Sequence, residues 1–304
     1  LIKPYNSVLG EQFICHWHVP DQTGAYSTRT STDSSATSST SASFSSAKEE
    51  LAAGEGVVVR AFMEQVSHHP PVSAFYYECA ERGITATGID HLAIGFTGTA
   101  IKVAAGEWGN GVDLTLKRPD GSEETYHLTH PTGYVNGWLR GSLYIAVCDN
   151  TEITCKQTGL TCAIDYKEER WIGKNRYAIE GQITHPDHKK PLCTLSGSWK
   201  GEIHYRLSGQ ETDQTLVNLE KLLPLPKSVR PLDQQGPNES RRVWKELTEA
   251  LLKRDFATAN KAKQAVEETQ RRRTTERKER NDPFAPVYFY VEPKSRPILI
   301  QRPW

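Results

Sequence analysis

The sequence has no surplus of either charge: 37 Lys and Arg balance 37 Asp and Glu over 304 residues. That balance argues against a dedicated nucleic-acid binder, which carries a clear basic excess. It has no uninterrupted apolar run approaching the roughly 20 residues that span a bilayer, which excludes an integral helical membrane protein. None of its six cysteines forms a C-x-x-C pair, and a chain of this length does not need disulfide staples. Cys148, Cys155 and Cys162 recur every seven residues, a spacing that matches no zinc pattern. The cysteines are read as reduced residues filling strands in a cytosolic protein. Methionine is nearly absent: the one Met is Met63 and the chain opens on Leu1, so its natural start is expected upstream. No signal peptide is visible. Enzyme motifs are missing as well, since G-x-S-x-G, G-x-x-x-x-G-K-S/T, H-E-x-x-H and G-x-G-x-x-G do not occur. Asp165, Asp187 and His188 make no triad, because no nucleophile is marked.

Aromatic residues are present in number, with seven Trp, twelve Tyr and eight Phe, enough for a real core. Residues 27–47 are almost all Ser and Thr and cannot bury enough apolar area to offset their ordering entropy. They read as a disordered insertion. From Val57 to about Leu207 the texture is β. Val57 to Val59, Val72 to Cys79, Ile84 to Thr87, Val112 to Lys117 and Leu143 to Cys148 are short runs rich in branched and aromatic residues. Lys117 to Ser122, with Pro119 and Asp120-Gly121, is a hairpin turn. Gly133, Gly137, Gly141, Gly159, Gly173, Gly181, Gly197 and Gly201 fall at turn-like intervals. Many short strands at this spacing point to an antiparallel barrel or sandwich.

A Pro-rich crossover, Leu222 to Pro226, leads into helical texture. Asn238 is placed to cap a helix whose buried stripe is Val243, Trp244, Leu247 and Leu251. A second helix is expected from about Thr258 to Arg280, with Ala259, Ala262, Ala265 and Val266 on one side. Residues 261–280 hold eight basic and four acidic side chains, a local surplus in a neutral chain. Asp282-Pro283 ends it, and Val287 to Val291 reads as a packed strand or strap.

The most unusual segment is Glu64-Gln65-Val66-Ser67-His68-His69-Pro70-Pro71. Two prolines remove ladder donors and push their predecessor to extended geometry, so the imidazoles sit at a rigid strand end. Two readings stand side by side. One is an anion site of two donor rings aimed at a phosphate; the other is two histidines satisfied by backbone beside a turn. A shared metal is not expected, because no carboxylate or Cys is spaced to help. In Lys3-Pro4-Tyr5-Asn6-Ser7-Val8-Leu9-Gly10-Glu11, Lys3 and Asn6 place donors beside a constrained Pro. Lys263, Glu267 and Arg271 lie at i, i+4 and i+8, one stripe along a helix.

The segment Glu64 to Pro71 resembles the signature of the oxysterol-binding-protein-related family, cytosolic lipid transfer proteins. Lys3 to Glu11 is similar to the family's K-P-x-N-P-x-L-G-E, with Ser7 in place of a proline. Val229 to Leu232, Glu239 to Arg241 and Glu267 to Arg271 match its C-terminal part, and the texture is nearest the short yeast Kes-type members. The resemblance implies a mainly β fold with C-terminal helices: a large, nearly closed antiparallel β-barrel around a lipid tunnel, whose N-terminal lid this sequence does not carry. It implies one domain, with residues 1–26 and 48–225 as barrel and 226–304 as helical subdomain and strap. It further implies exchange of a sterol for phosphatidylinositol 4-phosphate between membranes that the protein touches only peripherally. The matching head-group residues are Lys3, Asn6, His68, His69, Lys263, Glu267 and Arg271. No cofactor, nucleic acid or covalent chemistry is called for. Phosphatidylserine is the alternative cargo. A lysine that some phosphatidylserine-type members carry has no clear counterpart in Asp90 to Phe96, which tilts toward sterol. The rival from another class is a phosphohydrolase with His68 as base.

Overall fold

The computed structural model describes residues 5–20, 56–138, 141–167, 177–222 and 224–304. Lys3, Gly173 and the Ser/Thr tract at 27–47 lie outside the described residues. The first strands are β1 (Gln12–Pro20), β2 (Gly56–His68), β3 (Pro71–Cys79), β4 (Ile84–Asp90), β5 (Leu92–Phe96) and β6 (Ile101–Ala105). Then come β7 (Val112–Lys117), β8 (Glu123–Leu128), β9 (Thr132–Asn136), β10 (Tyr144–Cys155), β11 (Thr161–Tyr166) and β12 (Ala178–Thr184). The last long strands are β13 (Cys193–Ser198), β14 (Glu202–Leu207) and β15 (Gln214–Asn218). Together they make one 15-stranded sheet that meanders from β1 to β15, with β5, β6 and β9 branching off β10.

The β runs seen in the sequence fall inside these strands, save Leu143, which precedes β10 by one residue, because branched and aromatic side chains suit a pleated, half-buried surface. The turn after β7 is built from its own side chains. The Asp120 carboxylate accepts from the Ser122 amide at 2.9 Å and from its hydroxyl at 2.6 Å, and Gly121 takes φ +85°. The glycines divide. Gly137, Gly141, Gly159 and Gly201 lie outside the strands, whereas Gly133, Gly181 and Gly197 stand inside β9, β12 and β13. Close approach explains two of them: a Cβ on Gly181 would lie 2.8 Å from the Ala163 carbonyl oxygen, and Gly197 holds φ +134°.

Strand alternation sorts the side chains onto two faces. On one face the registered pairs give an unbroken apolar row that starts with Phe13, Met63 and Phe75. It continues through Gly88, Val112, Leu128 and Ile153 and reaches Cys162, Ile183 and Cys193. Most of these residues are half-buried. This is the wall of the barrel interior. On the branch, Ile94, Val103, Gly133 and Val147 stand in register as a second apolar row. Leu92, Val103, Ala105, Gly133 and Val147 line a cavity of about 270 Å³ there.

The opposite face is covered where it is apolar. Ile14, Phe62, Ala74 and Tyr76 form a dry cluster with Phe289, and Phe62 and Phe289 are both fully buried. Phe289 comes from a C-terminal strap, residues 283–304, with the short strands β16 (Phe289–Tyr290) and β17 (Ile298–Leu299). Arg302 holds the strap to the Glu78 carboxylate at 3.0 Å and the Tyr76 hydroxyl at 3.0 Å. Trp304 adds an indole bond to Glu78 at 3.2 Å.

The ends of the meander, β1 and β15, do not pair with each other among the described residues, so the sheet is not closed onto itself there. The free edge of β1 is instead blunted by the C-terminal crossover. His16 and Ser228 exchange backbone bonds of 2.9 and 2.8 Å, and the Gln12 amide donates to the Asn238 carbonyl at 2.9 Å. Covering an edge in this way removes a template for unwanted pairing.

Three helices follow: α1 (Ser240–Val243), α2 (Lys245–Leu252) and α3 (Phe256–Glu279). The expected first helix is therefore broken at Trp244, and Asn238 does not cap it. The residue at the cap position is Glu239, whose side chain makes no capping bond. Its carboxylate is committed to Arg230 at 2.5 Å and to the Gly236 amide at 2.7 Å. Helix α3 starts two residues earlier than expected because Asp255 accepts from the Thr258 amide at 3.0 Å. Ala259 and Ala262 are buried against Val8, Trp244, Leu247 and Ala250, with Val266 packed beside them. Ala265 is exposed, contrary to the expected stripe. It sits about 100° from Val266 and 60° beyond Ala262, past the edge of the contact line.

Candidate functional site

The segment from Tyr5 to Glu11 is the centre of the site. Glu11 is only 7% exposed, and its carboxylate folds back onto the Val8 amide at 2.9 Å. The same carboxylate accepts from the Ser240 hydroxyl at 2.6 Å and from the Trp244 indole at 3.0 Å. Tyr5 stacks on Trp244 with ring centroids 5.2 Å apart and joins Thr248 by a 2.9 Å bond. The loop is thereby bolted to α1 and α2. On its other side, the Gly10 amide donates to the Gln65 carbonyl and the Gln65 amide to the Glu11 carbonyl, each at 2.8 Å.

These bonds bring the loop against the end of β2, where the two histidines stand. His68 Nδ1 lies 3.1 Å from the Ser7 carbonyl oxygen. A carbonyl only accepts, so Nδ1 carries the hydrogen and Nε2 is left for another partner. The His69 ring lies edge-on to it, 4.6 Å between centroids. A regular strand would send these neighbours to opposite faces. Here β2 stops at His68 and β3 starts at Pro71, and the intervening turn puts both rings together. His68 is half-buried and His69 exposed, as is Asn6, the neighbour of Ser7.

On α3, Glu267 lies between two cations, 3.6 Å from Lys263 and 3.5 Å from Arg271. The three form the ladder their spacing implies. Lys263 is the sheltered member, with 21% of its side chain exposed against 74% for Arg271. Lys263 follows Ala262, which packs on Val8 and Trp244, so the ladder and the loop that holds His68 share one hydrophobic support. Among the described residues no hydrogen bond or ion pair joins the ladder to the histidines. Two residues without an assigned role in the sequence prove central to the geometry. Glu11 and Glu64 both lie inside the quoted motifs, but their partners are more than 220 residues away, where spacing gives no signal.

Burial pushes the Cys15 and Cys162 thiols up from their ordinary value, so these cysteines behave as apolar wall rather than as nucleophiles. Tyr77, on the same wall, is likewise pushed up by burial.

The fold is thus a barrel walled on the inside by half-open apolar side chains, with a polar histidine-bearing rim. The chain belongs to the oxysterol-binding protein family: the family model described as "Oxysterol-binding protein" matches residues 1–251. It is 38% identical over 252 residues to "Oxysterol-binding protein-like protein 1" of Schizosaccharomyces pombe, covering 78% of this chain and 48% of that one. Against human "Oxysterol-binding protein-related protein 11" the identity is 31% over 290 residues, covering 95% and 38%. The chain thus spans less than half the length of these curated relatives. Its fold is similar to that of the Osh1 ORD domain solved with cholesterol, at a TM-score of 0.66 and 20% identity, covering 95% of this chain and 65% of that one. The Osh3 ORD of Saccharomyces cerevisiae, solved with PI(4)P, gives a TM-score of 0.63 and 19% identity, covering 100% and 71%.

Proposed function

We propose that the chain carries one lipid at a time between membranes, exchanging a sterol for phosphatidylinositol 4-phosphate. The observation that carries the reading is the pair of imidazoles, 4.6 Å apart at the rim of an apolar-walled barrel, with His68 fixed by the Ser7 carbonyl. Apolar cargo is extracted because the half-open wall removes it from water. The head group is held at the rim by charge-assisted bonds from His68, His69 and Lys263, with Asn6 and Lys3 on the adjoining segment. Arg271 completes the cationic edge, and Glu267 orients Lys263 and Arg271 from one turn away on either side. Solved relatives with this fold hold cholesterol, ergosterol and PI(4)P, which supports both cargoes. No described helix is long and apolar enough to cross a membrane, which is compatible with a cytoplasmic carrier that touches membranes peripherally.

Native mass spectrometry of the purified chain, followed by extraction from liposomes, tests the proposal. One sterol or one phosphoinositide per chain is expected, each displacing the other. Replacing His68 and His69 together with Ala should abolish phosphoinositide extraction and leave sterol uptake intact. Capture of phosphatidylserine in place of sterol would change the second cargo. Release of inorganic phosphate would replace the carrier by a hydrolase.

A further inference from the structure

Glu64 is the fully buried carboxylate of the sheet, 1% exposed, on the outer face of β2 four residues before His68. A buried carboxylate is costly unless its oxygens are bonded. Among the described residues no cation pairs with Glu64. Its two oxygens instead accept from two consecutive backbone amides, Val287 and Tyr288, each at 2.8 Å. A carboxylate is suited to this fork because both of its oxygens only accept, whereas a carboxamide presents one acceptor and one donor.

The forked amides belong to the first part of the strap, eight residues after α3 ends at Glu279. Four residues before Tyr288, the Phe284 ring packs on Gly10, where an added Cβ would lie 3.0 Å from it. The Arg277 guanidinium, in the last turn of α3, lies over the same ring at 5.7 Å. At its other end α3 rests on Val8 and Trp244, and the loop carrying Val8 bonds back to Gln65 and His68 on β2. The contacts therefore close a circuit that runs from β2 to the strap, to α3, to the Tyr5–Glu11 loop and back to β2. Farther along, Phe289, Arg302 and Trp304 attach the strap to the sheet without Glu64. The fork acts on the part of the strap nearest α3.

We propose that Glu64 is a positioning residue for head-group capture: by forking the Val287 and Tyr288 amides, it holds α3 and the Tyr5–Glu11 loop in place around His68 and His69. The inference rests on the reading of this rim as the phosphate site. It makes a split that a general packing role would not make, because the apolar wall lies on the other face of the sheet.

The test compares Glu64→Gln with the His68→Ala, His69→Ala double variant, using liposomes containing phosphatidylinositol 4-phosphate and, separately, a fluorescent sterol. Glu64→Gln is expected to weaken phosphoinositide binding about ten-fold, the loss of one charge-assisted bond's worth of order at the rim. Sterol binding is expected to stay within about two-fold, and amide exchange to quicken in residues 5–11 and 263–271. Phe284→Ala breaks the same circuit without disturbing a buried charge, and should show the same split even if Glu64→Gln folds poorly. Equal losses for both lipids in the two variants would overturn the inference in favour of a general role in stability. Unchanged phosphoinositide binding in both, with the double His variant inactive, would overturn it while sparing the rim. An active double His variant would overturn the rim reading and this inference with it.

Discussion

The ladder on α3 offers the test that tells the proposed head-group site from an ordinary charged helix face. Sequence spacing treats Lys263 and Arg271 alike, but their surroundings differ. Lys263 keeps 21% of its side chain exposed and stands beside the Val8–Trp244 cluster, whereas Arg271 is 74% exposed. A charge-assisted bond at a sheltered position contributes about 1.5–3 kcal/mol. An exposed ion pair contributes about 0–1 kcal/mol, because water screens it. Taking about 2 kcal/mol for Lys263 and at most about 1 for Arg271, Lys263→Ala should weaken phosphoinositide binding about thirty-fold and Arg271→Ala at most about five-fold. Arg272, 71% exposed and paired with Glu276 at 3.8 Å, points about 100° away and should change binding by less than about two-fold. Glu267→Gln should fall between the two cations, since it orients both and touches no phosphate. The four variants are to be measured with the same liposomes at about 0.05 and 0.3 M salt. Added salt should erase the Arg271 effect and leave most of the Lys263 effect. Equal losses at Lys263, Arg271 and Arg272, all removed by salt, would refute the argument.

Two further predictions concern the frame around the site. Glu11→Gln leaves the Val8 amide, the Ser240 hydroxyl and the Trp244 indole with one acceptor oxygen in place of two. It should cost about 2 kcal/mol of stability, and Glu11→Ala about 3–5 kcal/mol; thermal melts that match the wild type would contradict the network. His16 is held below the ordinary imidazole value of 6.5, first by burial and then by His18 and Arg60. The unfolded chain therefore binds that proton more readily, so the contribution is complete above about pH 6.5 and is lost as the pH falls through the lowered value. His16→Gln should flatten the stability profile below about pH 6.5, and an unchanged slope would assign the effect elsewhere.

Much of this molecule is legible along the chain, for reasons that particular segments show. Val112 to Lys117 reads as a strand and is one, because alternating branched residues report the two faces of a pleat locally. The Lys263–Glu267–Arg271 ladder is legible because one helix supplies all three members. Asn238 misled for the opposite reason: its sequence favours a cap, but its carbonyl is taken by Gln12, over two hundred residues upstream. Gly181 and Gly197 looked like turns because the carbonyls that crowd them come from neighbouring strands. The Glu64 fork and the Glu11 clamp were hidden likewise, since each pairs a motif residue with the far C-terminus. Local chemistry is written in local sequence, and closure of the site is written across strands.

The dry clusters lie outside the barrel, under the strap and between the helices, while the inner wall is half-open. Apolar burial that stabilises the fold is thus largely separate from the burial a guest would add. Emptying the interior removes no part of the Phe62–Phe289 cluster, so the unloaded chain keeps its tightest packing. A guest adds stability only by mass action, growing with the logarithm of its concentration over its dissociation constant. If the proposed cargo binds, melting temperature becomes a gauge of its occupancy, read lipid by lipid on this chain.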